Sequence, residues 1–286
     1  MPNKTIGILY GEQKELGREE KIFVRLAKRK KIDLVLINTS KETDDKKIED
    51  KIKKCDIVYN NIGEGAGIEI AKTVEALGKT IIEPPETYYF IEDKWMFFLK
   101  CKENGVPTPE TILLSDNIIL AKSELKKFKR WPVILKRIHG TWGEFVEKAN
   151  NLEEAEKIIK KFWKKSLERH PIIAQEFIRS PSYRITVIDN KIVQTAIKEN
   201  IGWKATGLHK GKFKRFKKFE VNSKLERIIK KVVKFSGIGI CGIDLLKKGD
   251  SWFVLEINAA PGFDFFLNER KKLLECVLDY LIKYKN

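Results

Sequence analysis

The sequence predicts a protein of mixed class, α/β in its first part and α+β in the rest. In residues 1 to about 90, short apolar runs alternate with charged amphipathic stretches, which is typical of parallel βαβ units. After residue 108, several apolar runs follow one another with only turns between them, which indicates antiparallel hairpins. At roughly 150 residues per domain, the 286 residues of the chain suffice for about two domains.

The N-terminal domain is predicted to span residues 1–92 as a small, open α/β unit. Its strands are expected at 6–10, 34–37, 56–59 and 80–82, and its helices near 18–30 and 68–77. Alternation of strands with helices predicts a parallel sheet, because each helix carries the chain back to the starting edge.

Two α+β lobes are predicted to follow, a central one over 93–180 and a C-terminal one over 181–286. The central lobe is expected to contain helices at 93–105 and 152–168, with strands at 112–114, 133–136 and 172–175. The C-terminal lobe is expected to contain strands at 184–188, 192–196, 239–246 and 251–257, with helices at 223–235 and 268–284. Asp189-Asn190 and Lys248-Gly249-Asp250 are predicted hairpin turns.

The composition of the chain limits the kinds of molecule that it is expected to bind. The chain has 57 Lys and Arg against 40 Asp and Glu, a net charge of +17, with 42% hydrophobic residues, which excludes a disordered chain. No apolar run approaches the roughly 18 residues of a membrane span, and the N-terminus lacks the apolar core of a signal peptide, so we expect a cytoplasmic protein without membrane contact. The positive charge suits an anionic partner such as nucleic acid, nucleotide phosphates, an acidic protein or an acidic metabolite.

A metal site made of oxygen ligands is predicted near the C-terminus. Asp244, Glu256 and Asn258 interrupt two apolar strand runs, and the period of two places Glu256 and Asn258 on one face, where Asp244 can meet them. Carboxylate and amide oxygens suit Mg²⁺. The alternative is a turn residue and an edge salt bridge, but unpaired polar groups inside such strands are costly, which favours the metal. Four scattered cysteines and three histidines argue against zinc.

Two further segments suggest a nucleotide site, although each is weak alone. Lys136 ends an apolar strand, and the glycines Gly140 and Gly143 follow in a short loop, so an ammonium group and backbone N–H groups could face phosphates. The run from Gln175 to Ile178 is a strand whose backbone could read an adenine edge. An ordinary loop and an ordinary core strand are the alternatives.

In their order along the chain, these motifs resemble those of the ATP-grasp ligases, and within them the RimK and LysX branch of carboxylate–amine ligases. The resemblance covers the chain from about residue 55 to its C-terminus. The matching motifs are Asp93-Lys94, Gly105-Val-Pro-Thr-Pro-Glu-Thr111, Val133-Ile-Leu-Lys136, Gly140-Thr-Trp-Gly143, Gln175-Glu-Phe-Ile178, Asp244 and Glu256-Ile-Asn258-Ala-Ala-Pro-Gly262.

The resemblance implies an ATP-grasp fold, with an N-terminal pre-ATP-grasp domain, a lid-like central lobe and a C-terminal lobe that carries the metal site. It implies that a substrate carboxylate attacks the γ-phosphate of ATP to give an acyl phosphate, which an amine then converts to an amide. The implied nucleotide-binding residues are Lys94, Lys136, Gly140, Gly143, Gln175, Glu176, Phe177 and Ile178. Asp244, Glu256 and Asn258 would bind one or two Mg²⁺, which Mn²⁺ could replace, and Arg184, Lys198 and Lys210 would be the catalytic cations.

The chain departs from the pattern of the branch at three positions. Ser182 stands where the branch usually has an acid, and Gly207 and Lys210 stand where it has Asn and Arg. Lysine does not reproduce the bidentate fork of arginine, so these changes concern the acceptor site that this loop helps to form in relatives.

The same loop is strongly basic. Eight Lys or Arg residues lie in 198–220 against Glu199 and Glu220. The loop is either a solvated surface or an electrostatic guide for an acidic substrate, such as a glutamyl group on a small carrier protein or a coenzyme.

Two other functions remain open at this point. One is ligation of small amino acids of the D-alanine–D-alanine type. The other is nucleic-acid binding through the basic loop, with Trp203 as a stacking platform, in which the predicted metal site would have no role. The resemblance also implies a homo-oligomer, whereas the identity of the two substrates is not encoded in any motif.

Overall fold

A computed structural model describes residues 4–11, 16–41, 44–62, 65–140, 143–164, 169–198, 202–204 and 216–285. Within these ranges the chain forms one parallel and two antiparallel sheets. This arrangement confirms the predicted mixed class, with the α/β part at the N-terminus.

The N-terminal unit is a parallel sheet with the strand order β2-β1-β3-β4. Its elements are β1 (Thr5–Tyr10), α1 (Arg18–Lys30), β2 (Asp33–Asn38), α2 (Asp45–Lys53), β3 (Ile57–Asn60), α3 (Ala66–Ala76) and β4 (Thr80–Ile82). Helix α2 is absent from the sequence prediction because its run is short and charged and, among its described side chains, buries only Ile48 and Ile52. The side chain of Asp44 caps α2 by accepting a hydrogen bond from the backbone N–H of Lys47, at 3.3 Å.

The central sheet is antiparallel, with the order β5-β8-β6-β7. After α4 (Tyr88–Glu92) and α5 (Lys94–Glu103), the elements are β5 (Thr111–Leu114), α6 (Ile118–Phe128), β6 (Val133–Arg137), β7 (Val146–Ala149), α7 (Leu152–Lys164) and β8 (Ile172–Glu176). The sequence prediction lacks α6 and β7. Side chains from α6 and α7 form a core of their own with this sheet, including Leu125, Ile159 and Phe162.

The C-terminal sheet is antiparallel, with the order β11-β10-β9-β12-β13. Its elements are β9 (Ser182–Ile188), β10 (Lys191–Lys198), β11 (Phe216–Lys217), α8 (Ser223–Ser236), β12 (Ile240–Lys248), β13 (Ser251–Ala259) and α9 (Arg270–Lys283). Asp189 and Asn190 join β9 to β10 with φ angles of 52° and 58°, the left-handed pair expected of a type I′ hairpin turn.

Two helices pack against sheets other than their neighbours in sequence. Phe97 and Cys101 of α5, which the sequence prediction places in the central lobe, lie in one buried cluster with Ile185 and Trp252 of the C-terminal sheet. Helix α9 packs against α1 and contributes to the core of the N-terminal sheet. The predicted domain limits stay predictions. The contacts show that α9 shares a hydrophobic core with the N-terminal sheet and that α5 shares one with the C-terminal sheet.

Among the described residues, no helix combines the length and the apolar character that crossing a membrane requires.

Candidate functional site

Asp244, Glu256 and Asn258 lie on one face of the C-terminal sheet. Strands β12 and β13 are antiparallel neighbours, in which Asp244 pairs with Glu256 and Gly242 pairs with Asn258. Side chains of directly opposed residues project from the same face, so the three polar groups are close together. A register shift follows Asp244, and β13 has one extra residue there. The structure thus brings together the three residues proposed as metal ligands, whose role stays a prediction.

Two basic side chains, one on β9 and one on β10, bind Asp244. Arg184 of β9, which pairs with Asp244 in the sheet, donates from Nε to Oδ1 and from Nη2 to Oδ2, both at 2.8 Å. Lys198, at the end of β10, donates from Nζ to Oδ1 at 2.9 Å. Asp244 and Lys198 are each only 3% exposed. Two of the three predicted catalytic cations therefore share one buried carboxylate.

This cluster sets the charge state of its members. Burial would raise the pKa of Asp244, but Arg184 and Lys198 outweigh it and hold that pKa well below its usual range. Burial lowers the pKa of Lys198, partly opposed by Asp244. Burial also opposes the charged form of Arg184, but Asp244 raises the pKa of the guanidinium above its ordinary value. Asp244 is therefore an anion that accepts hydrogen bonds from the guanidinium of Arg184 and from Nζ of Lys198.

Gly242 leaves room for the guanidinium of Arg184. A Cβ atom at residue 242 would lie 2.0 Å from Nη1 of Arg184, far inside van der Waals contact. Sequence reasoning missed this residue. The available signal was a glycine inside an apolar strand, Cys241-Gly242-Ile243, which often marks the close approach of another group.

The central lobe contributes a buried lysine. Lys136 is 8% exposed, and its Nζ donates to Oε1 of Gln175 at 2.7 Å, while Nε2 of Gln175 donates to Oγ1 of Thr111 at 2.9 Å. Burial lowers the pKa of Lys136 to about 8, with Glu256 opposing the shift and Lys94 adding to it. Lys94 and Glu256 are therefore both within electrostatic range of Lys136. Thr111 ends one of the motifs that carry the resemblance, but the sequence analysis does not predict its role, which is to orient the Gln175 amide.

Lys94 lies beside the predicted glycine loop. Its Nζ donates to the carbonyl oxygens of Ile138 at 3.2 Å and Gly140 at 2.6 Å. The φ angles of Gly140 and Gly143, 140° and 72°, are ones that favour glycine. Thr141 and Trp142 between them lie outside the described residues.

Residues 176–178 lie where the chain leaves the central sheet and continues toward the C-terminal sheet. Strand β8 ends at Glu176, whose N–H donates to the carbonyl of Glu110 at 2.7 Å. Nζ of Lys148 lies 5.2 Å from the ring centre of Phe177, and Ile178 is buried. The segment predicted to contact adenine therefore joins the lobe of Lys136 to the lobe of Asp244.

Most of the basic loop is outside the described part of the chain, including the third predicted catalytic cation, Lys210. Residues 205–215 fall in this range. Of the flanking residues, Lys198 belongs to the Asp244 cluster and Lys218 forms an ion pair with Glu269.

The donor set fits a hard divalent cation. In the described residues, no three His, Cys, Asp or Glu side chains are grouped as a metal site. Magnesium, however, is usually bound by one or two carboxylates together with substrate phosphates and water, so Asp244 and Glu256 suffice. Nδ2 of Asn258 donates to the carbonyl of Gly242 at 3.4 Å, which leaves its Oδ1 as a possible ligand.

Comparison with known proteins connects this geometry to one family. A family model described as the RimK-like ATP-grasp domain matches residues 91–277. A relative from Methanococcus maripaludis, named coenzyme gamma-F420-2:alpha-L-glutamate ligase, is 30% identical over 247 residues, which are 81% of this chain and 84% of the relative. A ligase of the same name from Methanocaldococcus jannaschii is 27% identical over 217 residues, 74% of each chain.

Solved structures show the same fold at low sequence identity. The RimK domain ATP-grasp protein of Sphaerobacter thermophilus superposes with a TM-score of 0.73 and 14% identity, over 97% of this chain and 99% of that one. D-alanine–D-alanine ligase of Bacillus anthracis, solved with ATP, gives a TM-score of 0.73 and 16% identity, over 98% and 96% of the two chains. At these identities the superpositions show the fold alone.

Proposed function

Because this chain belongs to the RimK-like ATP-grasp family, whose members are ATP-dependent ligases that form C–N bonds, we propose that it joins L-glutamate to a carboxylate of an acidic acceptor. The observation that carries the proposal is the buried cluster on the C-terminal sheet, where Asp244, the strand partner of Glu256, accepts hydrogen bonds from Arg184 and Lys198. The central sheet carries the buried Lys136, so carboxylates on one lobe and an amine on the other suit a magnesium–nucleotide complex held between the lobes.

In this proposal the central and C-terminal lobes bind different parts of the magnesium–nucleotide complex. Lys94 and Lys136 would bind phosphate oxygens, and the segment from Gln175 to Ile178 would bind the adenine. Asp244, Glu256 and Asn258 would hold Mg²⁺, or Mn²⁺ in its place, and the bound ion would supply charge neutralisation at the phosphates. Arg184 and Lys198 fix the orientation of Asp244, so in this proposal they are positioning residues first.

The proposed reaction has two steps. The acceptor carboxylate attacks the γ-phosphorus, the bond from phosphorus to the bridging oxygen breaks, and ADP leaves. The amine of L-glutamate then attacks the carbonyl carbon of the acyl phosphate, phosphate leaves, and the nitrogen loses a proton as the amide forms. Both steps need aligned reactants and neutralised charge rather than a side-chain nucleophile, which fits a site made of lysines, an arginine and carboxylates.

The choice of substrates is supported by the relatives and by charge. The curated relatives act, by name, as glutamate ligases, one group of them on a coenzyme. A net charge of +17 favours an anionic acceptor, either such a coenzyme or a carrier protein with a glutamyl group. Small amino-acid ligation of the D-alanine type is the second candidate, supported by a shared fold. Nucleic-acid binding, Lys210 as a catalytic cation, a cytoplasmic location and homo-oligomeric assembly stay predictions.

The test is ATP-dependent gain of mass by an acceptor. The purified chain is incubated with ATP, Mg²⁺, L-glutamate and a panel of acidic acceptors, and products are analysed by mass spectrometry while ADP is assayed. We expect glutamyl addition and ADP release that both require acceptor and amine. Glu256→Gln should abolish both, whereas Glu75→Gln, an exposed change on α3, should not. Wild-type turnover by Glu256→Gln would contradict the metal assignment.

A further inference from the structure

Helix α8 covers the face of the C-terminal sheet that is opposite the candidate site. Its apolar side chains form one buried cluster with Ile185 of β9 and Ile243 of β12. Ile185 follows Arg184 and Ile243 precedes Asp244, and successive side chains of a strand project from opposite faces. The outer side of α8 is therefore separated from Arg184 and Asp244 by the sheet and by the helix itself.

This outer side carries positive charge in a regular line. Lys224, Arg227, Lys231 and Lys234 are all exposed and follow one another at intervals of three, four and three residues. Residues three and four apart are neighbours on one side of an α-helix, so the four cations form a single stripe. At 1.5 Å per residue, the stripe is about 15 Å long. We call these four residues the basic face of α8.

Carboxylates of the protein leave the basic face largely uncompensated. Among the described residues, Lys230 is the one cation of α8 that forms an ion pair, with Glu226 at 2.7 Å. Arg227 and Lys231 donate hydrogen bonds to backbone carbonyl oxygens, which carry no net charge. The basic face therefore keeps its positive charge available to a partner.

The distribution of charge along the chain agrees with this. Residues 1–92 contain 17 Lys and Arg against 17 Asp and Glu, so the net charge of +17 arises entirely from the rest of the chain. Helix α8 contributes five basic residues against one acid in 14 residues. Helix α7 is a contrast, because three glutamates accompany its four lysines and two of those lysines form ion pairs.

The basic face fits a phosphate backbone better than it fits a protein. The exposed residues of α8 are all polar, and its apolar residues are buried except for the half-buried Phe235. Protein interfaces depend on apolar or aromatic anchors and are depleted of lysine, whereas nucleic-acid interfaces are polar and positively charged. Within α8, which the structure describes completely, no aromatic side chain is exposed to stack on an unpaired base. This favours a duplex, whose bases are already stacked, over a single strand.

We propose that the basic face of α8 binds the phosphate backbone of duplex nucleic acid without reading its sequence. Ammonium and guanidinium groups contact phosphate oxygens and release the counterions condensed on them, which supplies the affinity. The surface is distinct from the basic loop of residues 198–220. It also lies across the sheet from the candidate site, so a bound duplex leaves that site open. The inference goes beyond the proposed ligase function and does not depend on it.

Fluorescence anisotropy on the full chain tests the proposal without ATP, over a KCl series from about 50 to 200 mM. The probes are a labelled DNA duplex, an RNA duplex of the same sequence, the DNA single strand, and poly-L-glutamate as an acidic polypeptide. The α8 variant combines Lys224→Gln, Arg227→Gln, Lys231→Gln and Lys234→Gln. The control removes the same number of exposed positive charges from α7, through Lys157→Gln, Lys160→Gln, Lys161→Gln and Lys164→Gln. Circular dichroism and thermal melting check that both variants are folded.

We expect the wild type to bind both duplexes with a slope of log K against log salt of about −4 or steeper, because each phosphate contact contributes about −0.9. The α8 variant should lose about 3 of this slope and bind at least tenfold more weakly at the lowest salt concentration. The α7 variant should keep the slope to within about 1, and the single strand should bind the wild type more weakly than the duplex.

Four results would overturn the proposal. They are absence of salt-dependent duplex binding by the wild type, an unchanged slope in the α8 variant, an equal loss in the α7 variant, and tighter binding of poly-L-glutamate than of the duplexes. An unchanged slope would assign the binding to another surface, such as the basic loop, and a preference for poly-L-glutamate would assign the face to an acidic protein. Failure of the ligase assay would leave this proposal standing, because duplex binding is measured without ATP or acceptor.

Discussion

Arg184 binds Asp244 through two parallel hydrogen bonds, one to each carboxylate oxygen and each 2.8 Å long. The two residues are direct partners on neighbouring strands β9 and β12, so the sheet itself fixes the pair. A planar fork bound in this way restrains the carboxylate in rotation as well as in position. The plane in which Asp244 could present an oxygen to a metal ion is therefore set by β9.

Replacing Arg184 by lysine should separate the effect of the positive charge of this side chain from the effect of its bidentate geometry. Lysine keeps the positive charge but cannot form the fork, so Asp244 should stay ionised and lose its fixed orientation. We expect at least a tenfold fall in kcat and a higher Mg²⁺ concentration for half-maximal activity, with a KM for ATP within threefold. Steady-state kinetics across a Mg²⁺ series measures all three. Unchanged Mg²⁺ dependence would show that the fork does not orient a metal ligand.

Gly242→Ala should act through the same guanidinium. Its Cβ would fall 2.0 Å from Nη1 of Arg184, so the arginine must move and the fork must break. We expect a loss of kcat similar to that of Arg184→Lys. In an Arg184→Ala background the clash with the guanidinium is gone and only the 3.1 Å approach to Cβ of Pro261 remains, so adding Gly242→Ala should have little further effect. Additive losses in this double-mutant cycle would place the role of Gly242 elsewhere.

The parts of the fold with strong periodicity were predictable from the sequence. The apolar runs of β1 and β3 and the amphipathic pattern of α1 predict the elements that the structure contains. Helix α2 and strand β7 were missed because each is short and contributes few buried side chains. The packing of α5 on the C-terminal sheet was also missed, since periodicity shows which face is apolar and not which partner covers it.

The candidate site, like the fold, has parts that the sequence predicts and parts that it does not. The juxtaposition of Glu256 with Asn258 follows from strand period, and that of Asp244 with both needs only the hairpin turn at Gly249. The pairing of Asp244 with Arg184 and Lys198 depends on the strand order β10-β9-β12, which no local pattern encodes.

Lys136 should make nucleotide binding sensitive to alkaline pH. Burial lowers the pKa of its ammonium group to about 8, so the free protein loses this cation as the pH rises past that value. Phosphates bind the protonated form, and ATP affinity should therefore fall by up to about tenfold per pH unit above 8. Titration calorimetry between pH 7 and 10 measures this. Lys136→Arg should remove the fall, whereas Lys160→Arg, a change on the outer face of α7, should keep it. The same decline in Lys136→Arg would assign it to another group.

Glu83 should make the folded state less stable as the pH rises from about 4.5 to 7. Its carboxylate follows β4 and accepts hydrogen bonds from the N–H groups of Gly239 at 2.9 Å and Ile240 at 2.8 Å, which lead into β12. Burial raises its pKa from 4.5 to about 7, although both hydrogen bonds oppose the shift.

The sign follows from proton uptake. Between these two pH values the unfolded chain releases the proton of Glu83 and the folded protein keeps it, so the free energy of unfolding falls with pH, by about 3 kcal/mol in total. Below pH 4.5 both states are protonated and above 7 both are ionised, so the contribution is flat outside the window. Urea unfolding of the wild type and of Glu83→Gln from pH 4.5 to 8 measures the difference. The variant loses one acceptor for the paired N–H groups and should be less stable than the wild type at pH 4.5, but its curve should lack this decline. Parallel curves for the two proteins would mean that Glu83 is ionised in the fold at every pH of the series, with its backbone donors outweighing burial.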